Sequence, residues 1–233
     1  MSYRVKNQDI DERYVPEEDR ELLYTTFYDI LNDLMSYKNI DVYVTGSNSK
    51  MLSKDIVTNF RDRGSEIMVF PLSFAEYYSV SDLDKIDALE EYMMYGGMPL
   101  SVIEKDESEK KKYLLSLHNN VFLKDIVERY NLKHDVLLSS LIDILYSSVG
   151  SLTNTHKLAN TAESMMKVKS SDNTIKKYID YLEDAFLFRS SKRYDVKGKR
   201  YFGTNLKYYA ADVGLRNAKL NFRQYERSHI MEN

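Results

Sequence analysis

The chain of 233 residues contains no cysteine, and glycine and proline are scarce at 8 and 3 residues. The absence of cysteine excludes a disulfide framework, a thiolate zinc site and a cysteine nucleophile. It is also what a reducing compartment permits, so we expect a cytoplasmic protein. Few glycines and prolines, with 43% hydrophobic and 30% charged residues, exclude collagen-like and disordered classes and indicate a helix-rich globular chain.

Long hydrophobic runs are also lacking. The most apolar stretch, Val136 to Val149, contains Asp143 and is shorter than the ~20 residues of a membrane-spanning helix. The first residues, MSYRVKNQDIDER, have no apolar core and therefore do not read as a signal peptide. We accordingly expect no membrane partner.

The charge is distributed unevenly although the net charge is only −3. Residues 1–150 hold 17 Lys and Arg against 27 Asp and Glu, net −10, whereas residues 151–233 hold 16 against 9, net +7. Such an asymmetry suggests two modules, of which the basic one could meet an anionic partner such as nucleic acid. Mutual electrostatic docking of the two halves explains it equally well.

The first third reads as a fragment of an α/β fold after a polar, unassigned lead-in over residues 1–24. Apolar residues spaced by three and four predict a helix over residues 21–37. Alternation predicts a strand over 40–44, then a polar loop from Gly46, a helix capped by Ser49, and a second strand over 67–70 that ends at Pro71. Two strands joined through a helix favour parallel pairing.

The remainder reads as mainly helical, with a change of character at Gly150. A helical connector over 81–150 follows the α/β part, and the predicted helices span residues 74–78, 83–94, 107–131 and 136–149. After Gly150, helices over 157–161 and after Ser171 precede candidate strands over 186–194 and 200–206. Two helices and a basic hairpin are the parts of a winged helix-turn-helix, which we assign to residues 151–233.

Motifs for catalysis and phosphate binding are scarce. The four histidines have no metal-ligand spacing such as H-E-x-x-H, so we expect no metal site. The only two glycines five residues apart, Gly198 and Gly203, lie in GKRYFGTN, where Thr204 stands in place of the lysine of a P-loop. No apolar strand ends in Asp-Glu to hold magnesium. The sequence therefore predicts that this chain has no phosphate cradle of its own.

Successive segments of the chain resemble one family. They are DVYVTGSNSKMLSKDI, RDRG, FPLSFAEYY, YMMYGGMP, VFLKDIVERYN, VGSLTNTHKLANT, TIKKYIDYLEDAFLF, RYDVKGKRYF and KYYAADVGLRNA. Together they resemble, over about residues 25–233, prokaryotic AAA-type ATPases in which a winged-helix region and a nuclease-like domain of unknown function follow the ATPase core. The resemblance implies that residues 25–80 are the C-terminal part of an AAA-type P-loop NTPase core. It also implies that the chain is a middle piece that lacks the P-loop half.

The resemblance assigns roles to five residues of the first third. Thr45, Ser47 and Asn48 match a polar cluster that is similar to a sensor of the γ-phosphate, where a hydroxyl or amide can orient the attacking water. Arg61 and Arg63 match the pair that contains the family's arginine finger. The alternatives are a helix-capping turn for Ser47 and Asn48, and surface salt bridges for the arginines.

Basic residues of the last third are candidates for nucleic-acid binding. They are Lys176 and Lys177 on the second helix and Lys192, Arg193, Lys197, Lys199 and Arg200 around the hairpin. A recognition helix and a basic wing can contact phosphates beside a major groove. The alternative is a winged helix that serves in intramolecular packing or protein interaction.

Two functional hypotheses follow. The first is a truncated AAA-type ATPase that cannot bind or hydrolyse ATP alone, with ATP and magnesium as the family's cofactors and with self-association or the missing ATPase half as its partner. The second is a winged-helix DNA-binding or adaptor protein without ATPase activity. Both are cytoplasmic in expectation.

Overall fold

A computed structural model describes residues 4–6, 24–45, 65, 67–132, 136–167, 169–192, 205–223 and 227–233. The chain forms two compact units, residues 1–67 and residues 68–233.

In the first unit, strand β1 (Arg4–Lys6) pairs antiparallel with β2 (Tyr24–Thr26), and helix α1 (Phe27–Leu34) follows directly. The expected helix over 21–37 is therefore shorter than predicted, and the polar lead-in contributes a strand. Aromatic and β-branched residues such as those of β2 favour extended backbone, and β1 supplies the neighbouring strand that β2 needs.

The two strands predicted over 40–44 and 67–70 are wrong, because neither segment is a strand in the structure. Val42 and Val44 are half-buried, whereas Ile67 is 76% and Val69 is 90% exposed. A strand forms only where a neighbouring strand accepts and donates its backbone hydrogen bonds, and among the described residues neither segment has one. The described part of the chain is thus mostly helical with small two-stranded sheets, and the helix predicted after Ser49 lies outside it.

The second unit is built from ten helices and two strands within the described residues. In chain order the helices are α2 (Phe74–Ser79), α3 (Lys85–Tyr95), α4 (Pro99–Ile103), α5 (Glu107–Ser116), α6 (Lys124–Arg129), α7 (Val136–Ser147), α8 (Thr155–Met166), α9 (Asp172–Asp184), α10 (Val213–Lys219) and α11 (Arg227–Glu232). A π-helical turn, Leu117–Leu123, joins α5 to α6, and the strands are β3 (Phe188–Lys192) and β4 (Leu206–Ala210).

Polar side chains begin several of these helices, and the sequence predicted the cap of α9. Ser171 Oγ accepts a hydrogen bond from Thr174 N at 3.1 Å and so caps α9. Ser73 and Glu76 form a reciprocal capping box at α2, and Asn154 Oδ1 accepts from Lys157 N at 2.8 Å at α8. The helix predicted over 157–161 starts two residues earlier because Asn154 satisfies its first N–H groups.

The core of the second unit surrounds α7. The buried hydrophobic side chains of this helix are Leu137, Leu138, Leu141, Ile142, Leu145 and Tyr146. Apolar residues of α8, α9, β3 and α10 pack against them, so α7 is buried on most of its surface. This burial explains why the most apolar stretch of the sequence is a core helix.

Strands β3 and β4 pair antiparallel, with Phe188 opposite Ala210 and Lys192 opposite Leu206. Thr153, just before α8, pairs with Leu206 on the other side of β4 through hydrogen bonds of 2.9 and 2.8 Å. The predicted strand over 186–194 is confirmed over 188–192. Of the second predicted strand, over 200–206, residues 200–204 lie outside the described residues, and β4 spans Leu206–Ala210, where Tyr208 and Ala210 are buried in the core.

Candidate nucleic-acid interface

Helix α9 carries two of the lysines that the sequence singles out, and its buried face decides where they lie. Ile175, Ile179 and Leu182 are buried in the core, where α9 packs on α8 and β3. Lys176 and Lys177 are exposed as a result, in the half of α9 that follows its N-terminal cap.

The electrostatic surroundings of these two lysines differ. Lys176 Nζ forms an ion pair with Asp180 at 3.0 Å, one helical turn further along. Lys177 Nζ lies 5.8 Å from the centre of the Tyr181 ring. With Asp172, Glu183 and Asp184 included, α9 carries two lysines against four acidic residues, so the helix as a whole is acidic.

Near its C-terminal end, α9 contacts the residue that follows α6. Tyr130 stacks on Tyr181 with ring centres 3.4 Å apart, and its hydroxyl donates to Asp184 Oδ2 at 2.9 Å. At the N-terminal end of α9, His156 Nδ1 lies 3.4 Å from Asp172 Oδ1.

Of the basic residues predicted around the hairpin, Lys192 lies within the described residues and is exposed at the end of β3. Arg189, also exposed, stacks over the Phe70 ring at 4.2 Å and was missed by the sequence analysis because its partner is 119 residues away. The backbone N–H of Ser190 at the free edge of β3 donates to Glu183 Oε1 at 2.8 Å. The acidic side chain thus covers part of an edge that would otherwise seek another strand.

The segment between β3 and β4 contains the other predicted basic residues, Arg193, Lys197, Lys199 and Arg200, which lie outside the described residues. By sequence these four stand against a single acidic residue, Asp195. The end of the loop is fixed at Asn205, whose Oδ1 accepts a hydrogen bond from Asn154 Nδ2 at 2.8 Å. Asn154, the cap of α8, therefore also anchors the loop, a second role that its sequence position did not reveal.

Strand β4 has one charged residue, Lys207, and it forms an ion pair with a residue of α11. Lys207 Nζ pairs with Glu232 Oε1 at 2.5 Å, a contact that raises the pKa of the ammonium. Burial, together with the negative charges of Glu183 and Asp180, raises the pKa of the neighbouring Tyr208 phenol to about 12. Tyr208 is therefore a neutral core residue at physiological pH.

The predicted phosphate-sensing residues lie in the other unit. Thr45 is exposed at the end of a described segment, whereas Ser47, Asn48, Arg61 and Arg63 lie outside the described residues. An exposed threonine without a glycine-rich loop does not form a cradle for the phosphates of ATP and magnesium. The described residues therefore do not fit that cofactor by themselves.

Two kinds of feature are absent from the described residues, a metal-binding cluster and a membrane-spanning helix. Within the described ranges, no group of three or more His, Asp or Glu side chains could hold a metal ion. None of the helices in the same ranges is long and apolar enough to cross a membrane.

Two family models match parts of this chain. Residues 23–78 match the model of the AAA domain, so this part of the chain is AAA-like. Residues 86–226 match the model of a domain of unknown function, DUF8612, and because this match covers more than half of the chain, the protein belongs to that family.

Two curated relatives are similar over most of this chain. One, an uncharacterized protein of Haemophilus influenzae, is 39% identical over 209 residues, which are 88% of this chain and 52% of the relative. The other, an uncharacterized protein of Methanocaldococcus jannaschii, is 28% identical over 215 residues, which are 87% of this chain and 47% of the relative. The chain thus spans about half the length of the curated relatives it matches.

Proposed function

We propose that this AAA-like protein binds the phosphate backbone of duplex DNA through a winged-helix module formed by residues 151–233. The observation that carries the proposal is the order of elements in this module, which α7 precedes: the Thr153 bridge, α8, α9, then β3 and β4. With Thr153 paired to Leu206, this order is that of a winged helix-turn-helix, in which α9 is the recognition helix and the loop after β3 is the wing.

The charges of the module indicate which part binds. The wing has a net charge of +3, whereas α9 has more acidic than basic residues and contacts Tyr130 near its C-terminal end. Phosphate contacts should therefore come mainly from Lys197, Lys199 and Arg200, with Lys177 and Lys192 in support. Binding of this kind positions a protein on DNA without reading bases.

A second function, that of a protein adaptor, is favoured by the acidic balance of α9. A recognition helix with an internal Lys176–Asp180 ion pair and an acidic C-terminal half suits a protein partner better than a phosphate backbone. The DNA-binding experiment decides between these functions.

The experiment measures binding of the full chain to a mixed-sequence duplex as a function of salt. Each phosphate contact contributes roughly 0.9 to the slope of log K against log salt. Replacing Lys197, Lys199 and Arg200 with alanine should therefore weaken binding at low salt and flatten the slope by about two to three units.

The chain offers a matched pair of control variants on α9. Lys176→Ala should change the slope less than Lys177→Ala, because Asp180 already neutralises Lys176. Equal binding by the triple wing variant and the parent, or no binding by the parent at about 50 mM salt, would refute the DNA proposal and favour the adaptor.

For the AAA-like part, we propose that ATP is not held by this chain alone. Support comes from the absence of a P-loop sequence in the 233 residues, since sensor and arginine side chains at Thr45, Ser47, Asn48, Arg61 and Arg63 contribute only once the β- and γ-phosphates are bound. A polypeptide that supplies a P-loop is the partner this part of the proposal requires.

A further inference from the structure

The most deeply buried polar arrangement of the second unit lies outside the DNA-binding surface, where β4 passes into α10. Asp212, between the two elements, is 5% exposed. Its Oδ1 accepts a hydrogen bond from Leu215 N at 3.0 Å and so caps α10. Its Oδ2 accepts from Gly97 N at 2.7 Å, a residue 115 positions earlier in the chain. The carboxylate therefore joins two distant segments, beyond what capping requires.

Gly97 is in turn bonded to a third segment. Its carbonyl accepts a hydrogen bond from Leu72 N at 2.8 Å, and the Leu72 carbonyl accepts from the Tyr92 hydroxyl at 2.8 Å. Leu72 belongs to the part of the chain that matches the AAA domain. Hydrogen bonds thus run without interruption from Leu72 through Gly97 to Asp212.

Glycines allow these segments to approach so closely. A Cβ atom at Gly97 would lie 2.0 Å from the Leu72 carbonyl oxygen, and one at Gly96 would lie 2.3 Å from Asp212 Oδ1. A Cβ at Gly214 would lie 2.1 Å from the Tyr95 carbonyl oxygen. No side chain can be added at these positions without separating the three segments.

Helix α10 is fixed to the rest of the core by its next polar residues. Arg216 is 2% exposed and its Nε donates to the Tyr146 carbonyl at 2.9 Å. Asn217 Nδ2 donates at 2.9 Å to the carbonyls of Met93 and Met94 at the end of α3. A shift of α10 must therefore be accompanied by a shift of α3 and α7, or break buried hydrogen bonds.

Burial raises the pKa of Asp212, while the N–H groups of Gly97, Leu215 and Gly214 lower it. Charge-assisted hydrogen bonds to a buried carboxylate are among the stronger ones in proteins, and leaving its donors unpaired is costly. The hydrogen bonds that join Leu72, Gly97, Asp212 and Leu215 should accordingly break together.

We propose that Asp212 is a positioning residue that couples segment 68–72 to β4 and α10, so that a displacement of either is transmitted to the other. The coupling does not depend on DNA binding. A displacement of residues 68–72, which belong to the AAA-like part, would in this way be transmitted to the β3–β4 sheet.

The test is hydrogen exchange of the full chain, first without any substitution. If the three segments form one unit, the amides of Leu72, Gly97 and Leu215 should exchange with the same opening equilibrium and the same dependence on low urea concentrations. Exchange of Leu72 by a separate, more frequent opening would overturn the proposal, and this measurement does not require any variant to fold.

The second part uses Asp212→Asn, which keeps the shape of the side chain but places an NH₂ group opposite one of the backbone donors. Exchange should rise by about tenfold or more at residues 96–98 and 212–215 and, through the coupling, also at 68–72. A rise confined to 96–98 and 212–215 would show that Asp212 is only a helix cap. The matched control is Asp106→Asn, which makes the same substitution at the exposed cap of α5, where Asp106 Oδ1 accepts from Glu109 N, and which should leave exchange at 68–72 unchanged.

Tyr92→Phe approaches the same coupling from the other side, because it removes the hydrogen bond to the Leu72 carbonyl. Coupling is reciprocal, so Tyr92→Phe should also raise exchange at Leu215. In the double variant, the increase should be smaller than the product of the two single increases. Independent, multiplicative effects would contradict the proposal.

Discussion

Acidification should destabilise the second unit through one buried imidazole. His118, in the π-helical turn, is fully buried, with Nδ1 3.1 Å from Asn119 Oδ1 and with no partner for Nε2 among the described residues. Burial lowers its pKa to about 4; the hydrogen bond to Asn119 opposes this shift, and the charge of Lys219 adds to it. The folded chain therefore keeps His118 neutral across the physiological range.

The sign and size of the effect follow from linkage. An unfolded histidine titrates at roughly pH 6.5, so below that pH the unfolded chain binds a proton that the folded chain does not bind. The contribution to stability is complete above this pH and is lost as the pH falls towards the folded pKa of about 4. At roughly 1.4 kcal/mol per pKa unit, the loss is about 2 kcal/mol at pH 5 and about 3 kcal/mol at pH 4. A domain whose total stability is about 5–15 kcal/mol would show this clearly.

The assay is urea unfolding of the parent chain and of His118→Leu, a variant of similar volume that cannot titrate. Between about pH 7.5 and pH 5, the free energy of unfolding of the parent should fall by about 2 kcal/mol more than that of the variant. His156→Gln is the matched control for the loss of one histidine, because the His156 side chain is 71% exposed and lies outside the core. Parallel pH dependence of the parent and His118→Leu would refute the reasoning.

Three other outcomes are expected. Calorimetry with ATP and magnesium should give no micromolar affinity, because no lysine-bearing phosphate loop exists in the sequence; a micromolar Kd would contradict this. The chain should self-associate in sedimentation experiments because Val69 is 90% exposed in an apolar segment, and Val69→Lys should reduce the association; a monomer at all concentrations would argue against it. Leu141→Ala should lower the free energy of unfolding by about 2–5 kcal/mol in urea titrations, whereas Leu152→Ala, at a half-exposed position, should change it by less than about 1 kcal/mol.

Sequence periodicity predicted the longer helices because their hydrogen bonds are local, but it did not predict the short helices α4, α10 and α11. The segment over residues 136–149 is apolar enough to be buried almost all round, and it forms α7 as predicted. Ser171 caps α9 because its side chain needs only the N–H group three residues further on. Such features depend on neighbouring residues alone, so a single sequence reveals them.

Strands and buried polar groups were less accessible to prediction because their partners lie far along the chain. Alternation over 40–44 and 67–70 indicated strands, but the structure provides no neighbouring strand for them among the described residues. Strand β4 pairs at Leu206 with Thr153, which precedes it by more than fifty residues, so alternation alone did not reveal its extent to Ala210. Nothing local distinguished Asp212, whose second partner, Gly97, is 115 residues away.

The π-helical turn between α5 and α6 has a consequence for how this chain can vary. Leu114 on one side of the turn and Ile126 on the other are both fully buried, so the turn keeps two helical segments in rotational phase with one core. Deleting one residue from Leu117–Leu123 would rotate one segment by roughly 100° relative to the other and expose one of the two side chains. Relatives without the turn should therefore carry compensating changes at the positions of Leu114 or Ile126, and insertions or deletions here should be rarer than in the loop after β3.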